Sequence, residues 1–269
     1  MKHRPFGLVQ GRLFALALLA WIGGALVCSP DFAFGDGAAT WQTGLSFSYL
    51  TGDYGQDKDT DIYYSAVTVK RYLERGDITL TVPYLDISAE GATFVGGEVE
   101  PINGGDGGSG LGDIILKGRY YAVEQDGPIP YIDLVGSIKF PTADEDKGLG
   151  TGETDFTCMV EFARRLKNDA WIALAEVGYT FVGEPSGYDV DNRWLYSVGL
   201  AYELDPKVTL SGYIDGRTAI LEGKDDPLSI LLMGEYKFRP DLRFDTLLEF
   251  GLNDGAPDFG ITVGVRKRF

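Results

Sequence analysis

Histidine is all but missing from this chain. The single copy is His3, at the extreme N-terminus. That removes Ser-His and His-Asp chemistry from nearly the whole sequence, and with it the usual general base of a hydrolase. Cysteine is almost as scarce, with only Cys28 and Cys158. Once the N-terminal segment is removed one thiol remains, which makes neither an internal disulfide nor a metal cage. No cofactor is implied. The glycines of the 104–112 stretch do not follow a strand and open a helix, as a phosphate cradle requires. Positive charge is short as well. The formal net charge is -16, which argues against a nucleic-acid partner, since a phosphate backbone needs a basic patch. Long apolar runs are also lacking after the N-terminus, where no stretch reaches the about 18 residues that mark a membrane-spanning helix.

The N-terminus is the exception. Lys2, Arg4 and Arg12 flank or precede the apolar run Leu13–Val27, and small residues follow at Ala33, Gly35 and Gly37 to Ala39. Basic, apolar, then small is the order of a secretory signal peptide. Residues 1–36 are read as that signal, with cleavage within 35–39, and residues 37–269 as one domain. A lipidated Cys28 is disfavoured, because Val27 is bulkier than the small residue that normally precedes such a cysteine.

What the chain does have is alternation. Trp41, Thr43, Leu45, Phe47 and Tyr49 alternate with Gln42, Gly44, Ser46 and Ser48. Period two means a strand with two different environments. Comparable segments follow at 60–73, 77–88, 112–124, 129–140, 155–166, 170–182, 193–204, 207–218, 228–238, 242–252 and 259–269. The phase of the second is ambiguous: Ile62, Tyr64, Ala66 and Tyr72 share one face, but Val67 and Val69 lie on the other. Connections after even-numbered segments are short. Those after odd-numbered segments are longer and rich in Gly and Asp. An even strand count with short turns on one side and long loops on the other is the outer-membrane pattern. A soluble sandwich gives no reason for it.

The predicted fold is therefore all-β: a transmembrane antiparallel up-and-down β-barrel of about 12 strands, with both termini on the short-turn, periplasmic side. Aromatics fall near the strand ends. Trp41, Tyr72, Phe162, Trp171, Phe238, Phe244 and Phe269 would form the periplasmic girdle. Tyr49, Tyr84, Phe140, Phe156, Phe181, Trp194, Phe250 and Phe259 would form the outer one. Two aromatic girdles around an aliphatic band suit a bilayer. The last segment, FGITVGVRKRF, must pair with the strand near Trp41 to leave no open edge in lipid. Phe269 is expected to act as the membrane-assembly signal, presented to the barrel-assembly machinery by this C-terminal strand.

Several stretches resemble a known family. SGLGDIILKGRYY (109–121), KFPTADEDKGLGTGETDF (139–156), TGDYG (51–55) and TLTVPYLDIS (79–88) resemble the outer-membrane family labelled "MetA-pathway of phenol degradation". The resemblance covers most of the chain after the signal. It implies a barrel and a link to uptake of aromatic or other hydrophobic compounds. It carries no functional residues across.

The candidate site residues come from the alternation itself. Lys117, Arg119, Asp133, Glu161, Arg165, Glu176, Asp215, Arg217, Glu235, Arg243, Asp245, Glu249 and Arg266 lie opposite the apolar face and are expected to line the lumen. Asp113, Lys139, Lys237 and Arg268 share that phase. Both signs inside a low-dielectric cylinder should pair or frame a narrow polar path. The function read from this is a passive outer-membrane channel or transporter, passing small aromatic or hydrophobic compounds into the periplasm. The alternative is a non-conducting structural or surface-interaction barrel, and an outer-membrane hydrolase ranks below both. The expected partners are outer-membrane lipid, lipopolysaccharide and a small-molecule solute. The acidic loops 144–155 and 222–226 read as solvated surface, with cation bridging to lipopolysaccharide as the lesser alternative.

Overall fold

Each alternating segment folds as a strand whose two faces differ in exposure. In Trp41–Gly52 the odd residues Trp41, Leu45 and Phe47 are exposed and the even residues from Gln42 to Gly52 are buried. The structure, a computed structural model, describes residues 40–56, 58–88, 93–95, 98–100, 107–166 and 170–269. The expected signal, its cleavage region and the 167–169 turn lie outside the described residues.

The strands are β1 (Trp41–Gly52), β2 (Thr60–Leu73), β3 (Gly76–Ile87), β4 (Thr93–Val95), β5 (Glu98–Glu100), β6 (Gly108–Leu111), β7 (Ile114–Val123) and β8 (Tyr131–Phe140). They continue as β9 (Asp155–Arg165), β10 (Trp171–Phe181), β11 (Arg193–Asp205), β12 (Val208–Arg217), β13 (Leu228–Arg239), β14 (Leu242–Gly251) and β15 (Phe259–Arg268). Thirteen of them form one antiparallel sheet, and β4 with β5 forms a separate hairpin. β3 pairs with β6 near one end and β7 near the other, so β6 and β7 are one interrupted stave and the wall has twelve. The sheet closes on itself, because β1 pairs with β15 and β2 also pairs with β3. No helix among the described residues is long and apolar enough to cross a membrane. Closure satisfies the ladder without an edge, which is the condition for spanning a bilayer with strands.

The structure refines three readings. The ambiguous β2 turns Ile62, Tyr64 and Ala66 inward, where all three are buried, and leaves Tyr63, Val67 and Val69 exposed outside. Tyr72 is therefore not a girdle residue. It sits on the inward phase, where its hydroxyl donates to Gln42 Oε1 at 3.0 Å and accepts from Arg268 at 2.7 Å. The segment expected at 112–124 is also not continuous with what precedes it. It breaks at Gly112 and Asp113, where a Cβ on Gly112 would lie 2.1 Å from Leu85 Cδ1. Thr142 bridges the break, its hydroxyl donating to the Gly112 carbonyl at 3.0 Å and accepting from the Ile114 N–H at 2.9 Å. Glycine there lets the wall step around Leu85.

Candidate functional site in the barrel lumen

Strands in a barrel tilt, so a row of directly paired residues climbs as it passes round the wall. Followed through the registers, these rows band the inner surface by chemistry. One row runs Tyr121–Asp133–Glu161–Glu176–Ser197–Asp215–Ser229. Asp133, Glu161 and Glu176 are directly opposite one another on three adjacent strands and are all buried. Like charges in that relation repel. Arg119 offsets part of this, reaching Glu161 at 3.3 Å and Asp133 at 4.0 Å. Lys117 shares the inward phase of β7 with Arg119. Tyr121 donates to Asp77 at 2.9 Å, and Asp77 pairs with Lys70 at 3.7 Å.

The next two rows are mainly apolar. One contains Tyr131, Ala163, Leu174, Tyr213 and Leu231. The other contains Ile172, Ala201, Met233 and Leu247. Together they form one buried apolar cluster. On the other side of the carboxylate row, Val135, Met159 and Leu195 make a smaller one. These inward apolar residues were not picked out from the alternation. The signal was present, as apolar side chains on both phases of β8 to β14, but a two-sided apolar strand reads as buried rather than as lumen-lining.

The turn-side mouth is held by an ionic network. Arg266 reaches Asp245 through two nitrogens, each at 2.7 Å, and Glu235 at 2.7 Å. Arg243 takes the other Glu235 oxygen at 2.6 Å. All four are buried. Arg165 holds Glu203 in a fork of 2.6 and 2.9 Å. Lys237 is partly buried beside this network on β13, and Arg268 closes it against Gln42 and Tyr72.

The loop-side mouth is stoppered. The 141–154 loop folds inward and puts Leu149 against Leu50, Tyr54, Ile62, Tyr64, Leu85 and Ile87, all at most 3% exposed. Asp113 pins the loop by accepting the N–H groups of Thr142 and Ala143, each at 3.0 Å. Lys139 pairs with Asp113 at 3.2 Å and Asp155 at 2.9 Å, and donates to Thr151 at 3.2 Å. Leu149 too was passed over in the sequence. Its only mark is a lone apolar side chain between Gly148 and Gly150 in an acidic stretch. Glu249 accepts from Ser229 at 2.9 Å. Arg217 is buried near the loop end of β12, and Asp215 is partly buried two residues before it.

So the charged candidates do not share one site. Asp133, Glu161, Glu176 and Asp215 belong to one spiral row, with Arg119 one inward row away and Lys117 two. Arg165, Glu235, Arg243, Asp245 and Arg266 lie toward the turn-side mouth, and Arg217 and Glu249 toward the loops. No group of carboxylates, histidines or cysteines among the described residues is arranged to hold a metal ion.

Solved structures that resemble this fold include outer-membrane proteins. The COG4313 outer membrane channel from Pseudomonas putida F1 superposes with a TM-score of 0.69 at 10% identity, over 87% of this chain and 97% of that one. The NanC porin gives 0.55 at 10% identity, over 84% and 100%. The translocator domain of autotransporter NalP from Neisseria meningitidis gives 0.52 at 13%, over 87% and 90%. At such identities the likeness speaks for the fold alone, and that fold, closed and apolar outside, belongs in the bacterial outer membrane. No curated protein matches the chain. The family model does match, over residues 30–269, and the chain belongs to the family described as "Putative MetA-pathway of phenol degradation".

Proposed function

We propose that this barrel is a passive route for small aromatic or hydrophobic compounds across the outer membrane, delivering them to the periplasm. The observation that carries the reading is the pair of adjacent apolar rows on the inner wall, built around Leu174, Tyr213, Leu231, Met233 and Leu247. A pore for hydrophilic solutes has a polar, water-filled interior. An apolar band instead offers a flat, water-poor path to a cargo that gains by leaving water. The carboxylate band beside it orients any cargo carrying a hydroxyl. In this reading the short turns and both termini face the periplasm, residues 1–36 are removed on export, and the C-terminal strand is presented to the barrel-assembly machinery.

The test is uptake of an aromatic hydrocarbon by cells with and without the gene, alongside Leu174→Asn and Leu231→Asn. The expected result is uptake lost without the gene and reduced in both variants at equal barrel abundance. Equal uptake in all four would overturn the reading. A second reading has its own support. Each end of the lumen carries packed side chains, the Arg266 network on one wall and the inward Leu149 loop, a feature that a structural barrel conducting nothing would also have. Planar-bilayer recording separates the two, since a structural barrel shows no current and no solute flux under any condition.

A further inference from the structure

The outer wall carries a trough in its apolar belt. Its floor is another register row: Ile78 on β3, Gly118 on β7, Gly136 on β8, Cys158 on β9, Tyr179 on β10 and Trp194 on β11, each directly paired with the next. These residues have the outward phase, and the three in the middle are small. Leu134 and Val160 on the neighbouring outward row form one bank. The hollow has a volume of about 750 Å³ and a mainly apolar lining.

Nothing within the protein requires the two glycines. A Cβ on Gly118 would meet no atom within 4 Å, and one on Gly136 only the Thr157 carbonyl at 4.0 Å. Neither has the left-handed backbone that favours glycine. By contrast, Gly76 is forced by the Arg119 backbone carbonyl, 2.1 Å from the Cβ position. Glycine inside a strand weakens it, and where the fold does not call for it, close approach of something else is the usual reason.

The row leads to a cation. Beyond Ile78 it continues to Arg71 and then Trp41. The Arg71 guanidinium lies 4.9 Å from the Trp41 ring centre. Arg75 lies 5.5 Å from the ring of Tyr120, which lines the trough at the same end. From Ile78 to Tyr179 is four strand spacings, about 19 Å at ~4.8 Å each. One leaflet of hydrocarbon is about 15 Å thick, half of the ~30 Å core. An apolar trough of acyl-chain length, with Arg71 on the strand next to its turn-side end, has the shape and charge that suit one lipid molecule.

We propose that the trough is a phospholipid site, with one acyl chain over Gly118, Gly136 and Cys158 and the headgroup phosphate on Arg71. The site is independent of any cargo in the lumen. It faces the bilayer across an unbroken ladder, since Gly118, Gly136 and Cys158 are joined to one another by continuous strand pairing.

Native mass spectrometry of the intact, delipidated barrel titrated with phosphatidylglycerol tests this. The wild type should retain one phospholipid that the Gly118→Leu/Gly136→Leu variant does not. Arg71→Gln should bind it about fivefold more weakly, the factor one arginine supplies at an anionic surface. Heat-dependent gel mobility reports that each variant is folded. Should the leucine variant not fold, the native Cys158 thiol serves instead: its alkylation by a membrane-soluble maleimide should slow when phosphatidylglycerol is added. Equal retention in wild type and filled variant, or an alkylation rate indifferent to lipid, would overturn the proposal. So would a wild-type dimer that the filled variant abolishes, which would make the trough a subunit interface. Displacement by lipopolysaccharide but not by phosphatidylglycerol would assign it to the other leaflet and also overturn it.

Discussion

Trp41 and Phe269 exchange backbone hydrogen bonds across the seam of the barrel. The Phe269 N–H donates to the Trp41 carbonyl at 2.9 Å, and the Trp41 N–H donates to the Phe269 carbonyl at 3.4 Å. This pair ends a continuous β1–β15 ladder, which begins with Thr51 opposite Phe259 and reaches Gln42 opposite Arg268. The first described strand and the last residue of the chain thus close one edge. Beside them, Lys267 points outward and lies 5.0 Å from the Phe269 ring, keeping its charge at the interface while its stem covers apolar surface.

Deleting Phe269 removes one such pair from the point where the barrel must close. This pair ends the seam that leaves the sheet without an open edge, so the truncated chain should assemble poorly. The expected outcome is a marked drop in the heat-modifiable, membrane-inserted form on gels, with Phe269→Ala intermediate because it keeps the backbone pair. Normal membrane levels of the truncated protein would remove the residue from assembly.

Leu149 is the wedge of the loop-side stopper. Leu149→Ala should cost about 2–5 kcal/mol of local packing, the usual range for a buried leucine truncation. That loss falls on a loop otherwise held by Asp113 and Lys139, so the barrel should stay folded while the mouth loosens. In planar bilayers the variant should show larger or more frequent openings than wild type. Unchanged conductance would mean that the stopper does not control access.

The outward face was legible in the sequence because a bilayer asks the same thing of every residue it touches. Leu45, Phe47, Val67, Leu80 and Val198 all satisfy it and all are exposed. The inner face answers to cross-strand neighbours instead. Asp133, Glu161 and Glu176 are far apart along the chain and meet only through the register of three strands. No single strand contains that information, which is why the charged candidates could be named but not grouped. The apolar rows and Leu149 escaped for a related reason. An inward leucine and an outward leucine differ only by phase, and Leu149 lies in a loop with no phase at all. Tyr72 was misplaced because closeness to a strand end says nothing about which side a ring faces.

The carboxylate band makes a prediction about ion selectivity. Glu161 and Glu176 place two adjacent carboxylates on the inner wall, with Arg119 reaching Asp133 and Glu161. Glu161→Gln/Glu176→Gln keeps the shapes and removes the charges. In a narrow pore, rings of carboxylates favour cations. The reversal potential under a salt gradient should therefore shift toward anions in the double variant. Arg119→Gln, which removes the compensating charge, should shift it the opposite way.

The turn-side network gives the sharpest energetic contrast. Arg266 is the shared partner of Asp245 and Glu235, and Glu235 is shared in turn with Arg243. Removing Arg266 alone takes the two-nitrogen fork from Asp245 and one of its two arginines from Glu235, and breaking a buried ion pair from one side costs about 3–5 kcal/mol. Removing the whole set together takes away two charges of each sign, and such replacements by apolar residues are often neutral. Arg266→Met should thus lower the temperature or urea concentration at which the folded gel band disappears. Arg266→Met combined with Glu235→Leu, Asp245→Leu and Arg243→Met should recover much of that loss. A quadruple variant no more stable than the single one would mean that the network is held for its geometry, with stability resting on the specific fork between Arg266 and Asp245.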